Sequence, residues 1–201
     1  MTKFNERIGY FWIQLRIQPF DMYFGRVHFE EVLGTIETWR DRKMKRLEES
    51  TYGKKAGELF AEGYNCAQSV FLAFSDFYEI DQETAARLSS SFGGGMGRLR
   101  EVCGAVSGMF MAAGCIFGYD SPKDYEAKKD HYARIQALAE EFRECHGTIV
   151  CRELLGLDHK KDEPVPEKRT GEYYKKRPCR EMVETAACIL EDYLEKNKTE
   201  G

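Results

Sequence analysis

The chain has 201 residues, 42% of them hydrophobic, which suits one packed domain plus an extension and excludes a wholly disordered chain. A formal net charge of −4 offers no concentrated basic face, so a nucleic-acid partner is not expected. Its seven cysteines are odd in number and widely spaced, unlike the dense even framework of a small secreted scaffold, and a reducing cytoplasm is the expected location.

Residues 1–43 scatter aromatics, among them Tyr10, Phe11, Trp12, Phe20 and Trp39, without a sustained helical or strand period. No secretory signal is visible, because the apolar stretch Tyr10–Ile13 is short and is interrupted by Gln14 and Arg16. A charged amphipathic stretch begins at Met44. Residues 1–43 therefore read as an N-terminal extension upstream of a natural start at Met44, with an interaction arm as the rival reading. Residues 44–201 read as the helical, cysteine-bearing domain.

The remainder parses as an all-α bundle of about six helices. The first is expected over 45–62, stopped by Gly63. Asn65 caps the second, which runs to about Tyr78 with Cys66, Val70, Ala73, Phe74 and Phe77 on one face. Asp81 caps a third, to about Ser91, and a glycine cluster, Gly93-Gly94-Gly95-Met96-Gly97, follows.

A central helix is expected from about Arg100 to Phe117. Val102 to Tyr119 is 18 residues without a charge, at the lower edge for a membrane span, and is read as a buried helix. Ser121-Pro122 with Asp124 predicts the start of a long helix to about Cys145, with Tyr125, Tyr132, Ile135, Leu138, Ala139 and Phe142 facing inward. A short helix spans about Thr148 to Leu155. Residues 157–177 read as a long polar loop. The last helix runs from about Pro178 to Lys196, with Val183, Ala186, Leu190 and Tyr193 inward.

On these helices, Cys66, Cys103, Cys151 and Cys179 each fall within about the first turn, whereas Cys115 and Cys145 fall near helix ends and Cys188 falls mid-helix. A helix start offers unpaired N–H groups and partial positive charge, and both favour the thiolate that attacks disulfides or binds metals. The four also lie on the apolar stripes of their helices, so they are expected to point inward and converge. Cys179 has Arg177 and Arg180 beside it and follows the long loop, which suits a resolving cysteine that moves. The competing reading is that buried cysteines simply fill space.

No CxxC or CxxCH occurs, and the wide cysteine spacings match neither compact zinc nor ferredoxin patterns. The glycine cluster lacks the Lys-Ser/Thr of a P-loop. Gly93, Gly94, Gly95 and Gly97 are read as a tight turn with positive φ angles or, more sharply, as a backbone cradle for a ligand or cofactor near Cys103. Gly104 and Gly108 would let a neighbouring helix or ligand approach closely. His28, His131, His146 and His159 show no paired ligand spacing.

Five segments occur in order: Asn65-Cys66-Ala67-Gln68, Phe92 to Gly97, Cys103 to Gly108, Cys151 to Gly156, and the late Cys179. Together they resemble the redox-active family named C_GCAxxG_C_C, over roughly Lys54 to Leu194. The family's four characteristic cysteines map onto Cys66, Cys103, Cys151 and Cys179. Its label has GCA where this chain reads Cys103-Gly104-Ala105, and residues 1–43 have no counterpart in its pattern. The resemblance implies redox chemistry and a link to transporter genes, and a related domain fused to haem-binding segments keeps electron transfer in view.

Three functions compete. In a thiol–disulfide protein, Cys66 and Cys103 would form the buried pair, with Cys151 and Cys179 exchanging with them or with each other. Four cysteines allow three pairings and the sequence does not choose. In a metal or iron–sulfur protein, the same four thiolates would be the ligands. In a non-catalytic helical interaction module, they would only pack. The redox partner is unidentified, a homo-oligomer stays open, and the cofactor alternatives are none, an iron–sulfur cluster or another metal.

Overall fold

The structure is a computed structural model that describes residues 45–198, all but the first of them in one structural unit. The expectations for the N-terminal extension, a start at Met44 and His28 lie outside the described residues. The fold is all-α. Its helices are α1 (Thr51–Glu62), α2 (Cys66–Ala73), α3 (Gln82–Ser90), the short α4 (Gly93–Met96), α5 (Gly104–Phe117), α6 (Tyr125–His146), the short α7 (Cys151–Leu154), α8 (Gly171–Lys176) and α9 (Cys179–Lys198). Among the described residues no helix is long and apolar enough to cross a membrane.

Local chemistry explains most boundaries. Ser50 breaks the helix expected over 45–62: its backbone is extended and its Oγ accepts from the Gly53 N–H at 2.8 Å, so it caps α1. Gly63, with φ of 116°, closes that helix. Asn65 and Gln68 form a reciprocal capping box at the head of α2. That helix stops at Ala73, short of the expected Tyr78, and a 3-10 turn at Ser75–Phe77 continues the chain.

The start of α6 is also later than expected. Asp124, not Ser121, is the cap, because its carboxylate accepts from the Ala127 N–H at 2.9 Å. The inward face of α6 is shorter too. Leu138, Ala139 and Phe142 are buried, but Tyr125 and Tyr132 are 73% and 55% exposed because the first turns of α6 extend past the core.

The core lies between α1, α2, α5 and α9. Helix α9 packs most extensively on α1, and α5 on α2. Phe60, Phe71, Phe74, Met109, Phe142 and Leu190 are fully enclosed there. Burying one such side chain stabilises the fold by about 1.5–3 kcal/mol. Close approach of α5 to α2 depends on Gly108, where a Cβ would lie 2.5 Å from the Ala67 carbonyl oxygen.

Within the short α4 and on to Arg100 the backbone departs from a right-handed helix. Gly94, Gly95, Met96, Gly97 and Arg98 all have φ between 62° and 70°, a turn of left-handed backbone, and Arg100 has φ of 61°. The left-handed region costs a non-glycine residue about 1–2 kcal/mol, so Met96, Arg98 and Arg100 together hold about 3–6 kcal/mol of strain. The central helix consequently starts at Gly104, not near Arg100. Residues 101–103 instead pair with 149–151 through an antiparallel bridge between Val102 and Val150.

Candidate functional site

Each of the four helix-start cysteines is delivered by a separate device. Cys66 is the first residue of α2, immediately after its Asn65 cap. Cys103 is the cap residue of α5. Cys151 opens α7, and Cys179 opens α9 after Pro178. The bridge holds two of them: the Cys103 N–H donates to the Ile149 carbonyl at 2.7 Å, and the Cys151 N–H donates to the Glu101 carbonyl at 2.6 Å.

All four line one cavity of about 320 Å³. The glycines of the expected cradle, Gly93, Gly94, Gly95, Gly97 and Gly104, line it as well. Their lack of side chains allows the convergence. A Cβ on Gly104 would stand 3.1 Å from the Cys66 Cβ, and one on Gly95 would stand 2.5 Å from the Cys151 Cβ. Cys115, Cys145 and Cys188 lie elsewhere, and all seven cysteines are free thiols.

The expectation that all four helix starts would activate their thiols holds for only one. Burial pushes the Cys103 thiol up to about 12 and outweighs the helix-start N–H groups of Ala105 and Val106, which pull the other way. Burial likewise raises Cys151, against the opposing pull of Arg100, whose Nη1 lies 3.7 Å from the Cys151 sulfur. Cys66 is raised because its S–H donates a hydrogen bond to Cys179, with burial adding to the effect. Cys179 is lowered to about 7 by that same hydrogen bond and by the charges of Arg177, Arg100 and Arg169. Near neutral pH the cavity thus holds three protonated thiols and a fourth, Cys179, that is partly ionised. Of the other three cavity cysteines, Cys179 acts most strongly on Cys66, and Cys103 and Cys151 act less.

Arg180 does not take the part expected of it. It pairs with Glu184 one turn along α9, at 2.8 Å. The charges that act on Cys179 from afar come instead from residues that sequence reasoning passed over. Arg100 is only 3% exposed, and it is ion-paired with Asp162 through its Nη2 and, at 2.9 Å, its Nε. Arg98 reaches the same carboxylate at 2.9 Å, and His159 Nε2 lies 2.5 Å from its other oxygen. The Arg100 guanidinium, and then His159, hold the Asp162 carboxyl down to about 2.

These contacts fasten residues 157–177 over the cavity, with α8 inside a segment expected to be loop. The only hint in the sequence is the pair of arginines in Gly97-Arg98-Leu99-Arg100, directly after the glycines.

Among the described residues, no group of three or more His, Cys, Asp or Glu side chains is arranged to hold a metal ion. The neighbouring Cys66 and Cys179, in a half-enclosed and mostly apolar cavity, are suited to sulfur exchange, in which a thiolate attacks a disulfide and a neighbouring thiol resolves the product. Comparison with curated proteins and with solved structures finds no match. The model of the family described as "Putative redox-active protein (C_GCAxxG_C_C)" matches residues 64–193, a span that begins at α2 and contains all four cavity cysteines, and the chain belongs to that family.

Proposed function

We propose that the protein is a thiol–disulfide exchange protein whose working pair is Cys66 and Cys179. The observation that carries this reading is that Cys66 and Cys179 line one half-enclosed cavity, close enough for each to move the other's titration, Cys66 upward and Cys179 downward. The Cys179 thiolate attacks one sulfur of a substrate disulfide, whose S–S bond breaks and whose leaving thiolate takes the Cys66 proton. Cys66, now a thiolate, attacks the Cys179 sulfur of the mixed disulfide and releases the second half of the substrate. The substrate gains two electrons, and the pair ends as a Cys66–Cys179 disulfide. An external thiol reductant returns it to the dithiol.

In this reading Cys103 and Cys151 are protonated neighbours that shape the cavity, and the glycine turn lets its walls close in. A reducing cytoplasm suits seven free thiols, and the reductant is the partner the cycle requires. Mild oxidation followed by peptide mass mapping tests the assignment. The expected product is a Cys66–Cys179 cross-link that forms before any other; a first cross-link within another pair overturns it.

A further inference from the structure

The charged lining of the cavity carries information about what enters it. Arg98, Arg100, Arg169 and Arg177 all line it, whereas Glu167 is its sole lining carboxylate among the described residues. Asp162 pairs with Arg98 and Arg100 from behind, and Glu167 pairs with Arg177 and Arg98. Two carboxylates therefore face four guanidiniums. Even with Cys179 ionised the cavity stays positive, and it becomes more so once that thiolate is consumed in a mixed disulfide.

Arg169 is the guanidinium without a carboxylate partner among the described residues. It is nonetheless held firmly: Nη1 donates to the Phe60 carbonyl at 2.8 Å, and the group lies 4.5 Å above the Phe60 ring and 5.9 Å from the Tyr173 ring. An arginine has five N–H donors in a planar fork, so most of its donors are available to a bidentate acceptor. A volume of about 320 Å³ admits a small molecule, at the low end of ligand cavities, rather than a protein surface.

We propose that the thiol pair acts on small disulfides that carry a carboxylate, with Arg169 holding the carboxylate while Cys179 attacks the adjacent sulfur. This rests on the exchange reading above and adds the class of substrate. For a disulfide of two carboxylate-bearing halves, attack breaks the substrate S–S bond and forms a Cys179 mixed disulfide. The first half leaves as a thiol with the Cys66 proton. Closure of the Cys66–Cys179 bond then expels the second half as a thiolate. One substrate disulfide is reduced by two electrons, and one protein dithiol is oxidised.

The test uses the full chain and three small disulfides of similar length: dithiodiglycolate with two carboxylates, neutral 2-hydroxyethyl disulfide, and cystamine with two ammonium groups. Each single-turnover rate is divided by the rate of the same disulfide with dithiothreitol, which removes intrinsic reactivity. The normalised rate is expected to be about tenfold higher for dithiodiglycolate than for 2-hydroxyethyl disulfide, and lowest for cystamine. Arg169→Gln should lower the dithiodiglycolate rate about fivefold more than the 2-hydroxyethyl disulfide rate. Arg169→Lys should keep most of the preference.

Raising the salt concentration on the unaltered protein should also compress the preference, a readout that survives if the Arg169 variants do not fold. Equal normalised rates for the three compounds would overturn anion selection and leave thiol exchange standing. No reaction with any of them would overturn thiol exchange itself, and this inference with it.

Discussion

Helix α9 carries the same residue type in two places, and the two behave oppositely. Cys179 lies in its first turn, against Cys66, Arg177, Arg100 and Arg169, and is lowered to about 7. Cys188 lies mid-helix, 5% exposed, and burial raises it despite the opposing pull of Ser50 and Arg46. The contrast teaches that a helix start alone does not activate a thiol here, because Cys103 and Cys151 also occupy helix starts and are raised. What distinguishes Cys179 is the neighbouring Cys66 thiol and three guanidiniums, Arg177 and Arg169 from the segment just before it and Arg100 from far away in the chain.

The sharpest way to break the contrast is substitution. Cys179→Ser should slow disulfide exchange by about a thousandfold, whereas Cys188→Ser should leave it within about twofold and change only stability, since the serine hydroxyl is a poor nucleophile without an activating base. Stopped-flow exchange with a chromogenic disulfide reads both. Equal losses would mean that the two positions are not different in kind.

The next largest effect is expected behind the cavity. Asp162→Asn leaves Arg98 and Arg100 without their shared carboxylate and should cost about 3 kcal/mol in urea unfolding, the scale of breaking a mostly buried ion pair. Its acid dependence fixes the mechanism. Asp162 is lowered to about 2, so its contribution is complete above the unfolded value near 3.9 and is lost as pH falls towards about 2. The variant should show a flatter stability profile through that window.

A third substitution disturbs the cavity end of the comparison and spares the core end. Gly95→Ala places a Cβ 2.5 Å from the Cys151 Cβ on backbone with φ of 70°. It should destabilise by about 2 kcal/mol and slow exchange, while the alkylation rate of Cys188 in the folded protein stays within about twofold.

The smallest effect sharpens the cause. Iodoacetamide labelling of Cys179 should rise with pH through about 7, because lowering an acid populates its charged form above that point. The associated stability is present above the unfolded thiol value near 8.5 and is lost as pH falls through about 7. Arg177→Gln should move the labelling profile to higher pH and lower the rate at neutrality by about threefold. An unmoved profile would assign the lowering to Cys66 and the other arginines alone.

Much of this architecture was legible in the residues. Asn65 and Asp81 mark helix starts and Gly63 marks a stop because caps are local chemistry, and each acts as expected. The same logic put Cys66, Cys103, Cys151 and Cys179 at helix starts. Two aspects were not legible, for physical reasons. The depth at which a thiol sits depends on tertiary packing, and desolvation is the leading cause that raises Cys103 and Cys151 and adds to the effect of Cys179 at Cys66. The left-handed backbone at Arg98 and Arg100 is also held against local preference by contacts with Asp162, more than sixty residues away from each.

The pairing of residues 101–103 with 149–151 has a consequence for how this chain tolerates change in length. Side chains alternate across a paired strand, so Val102 and Val150 project to one side while Cys103 and Cys151, each one step on, project to the other. The loop between α5 and α6 can change in length without touching this pairing, but a single codon gained or lost within either trio would swing a sulfur out of the cavity and a valine into it. The two tripeptides act as a registration mark, and natural insertions should collect outside them.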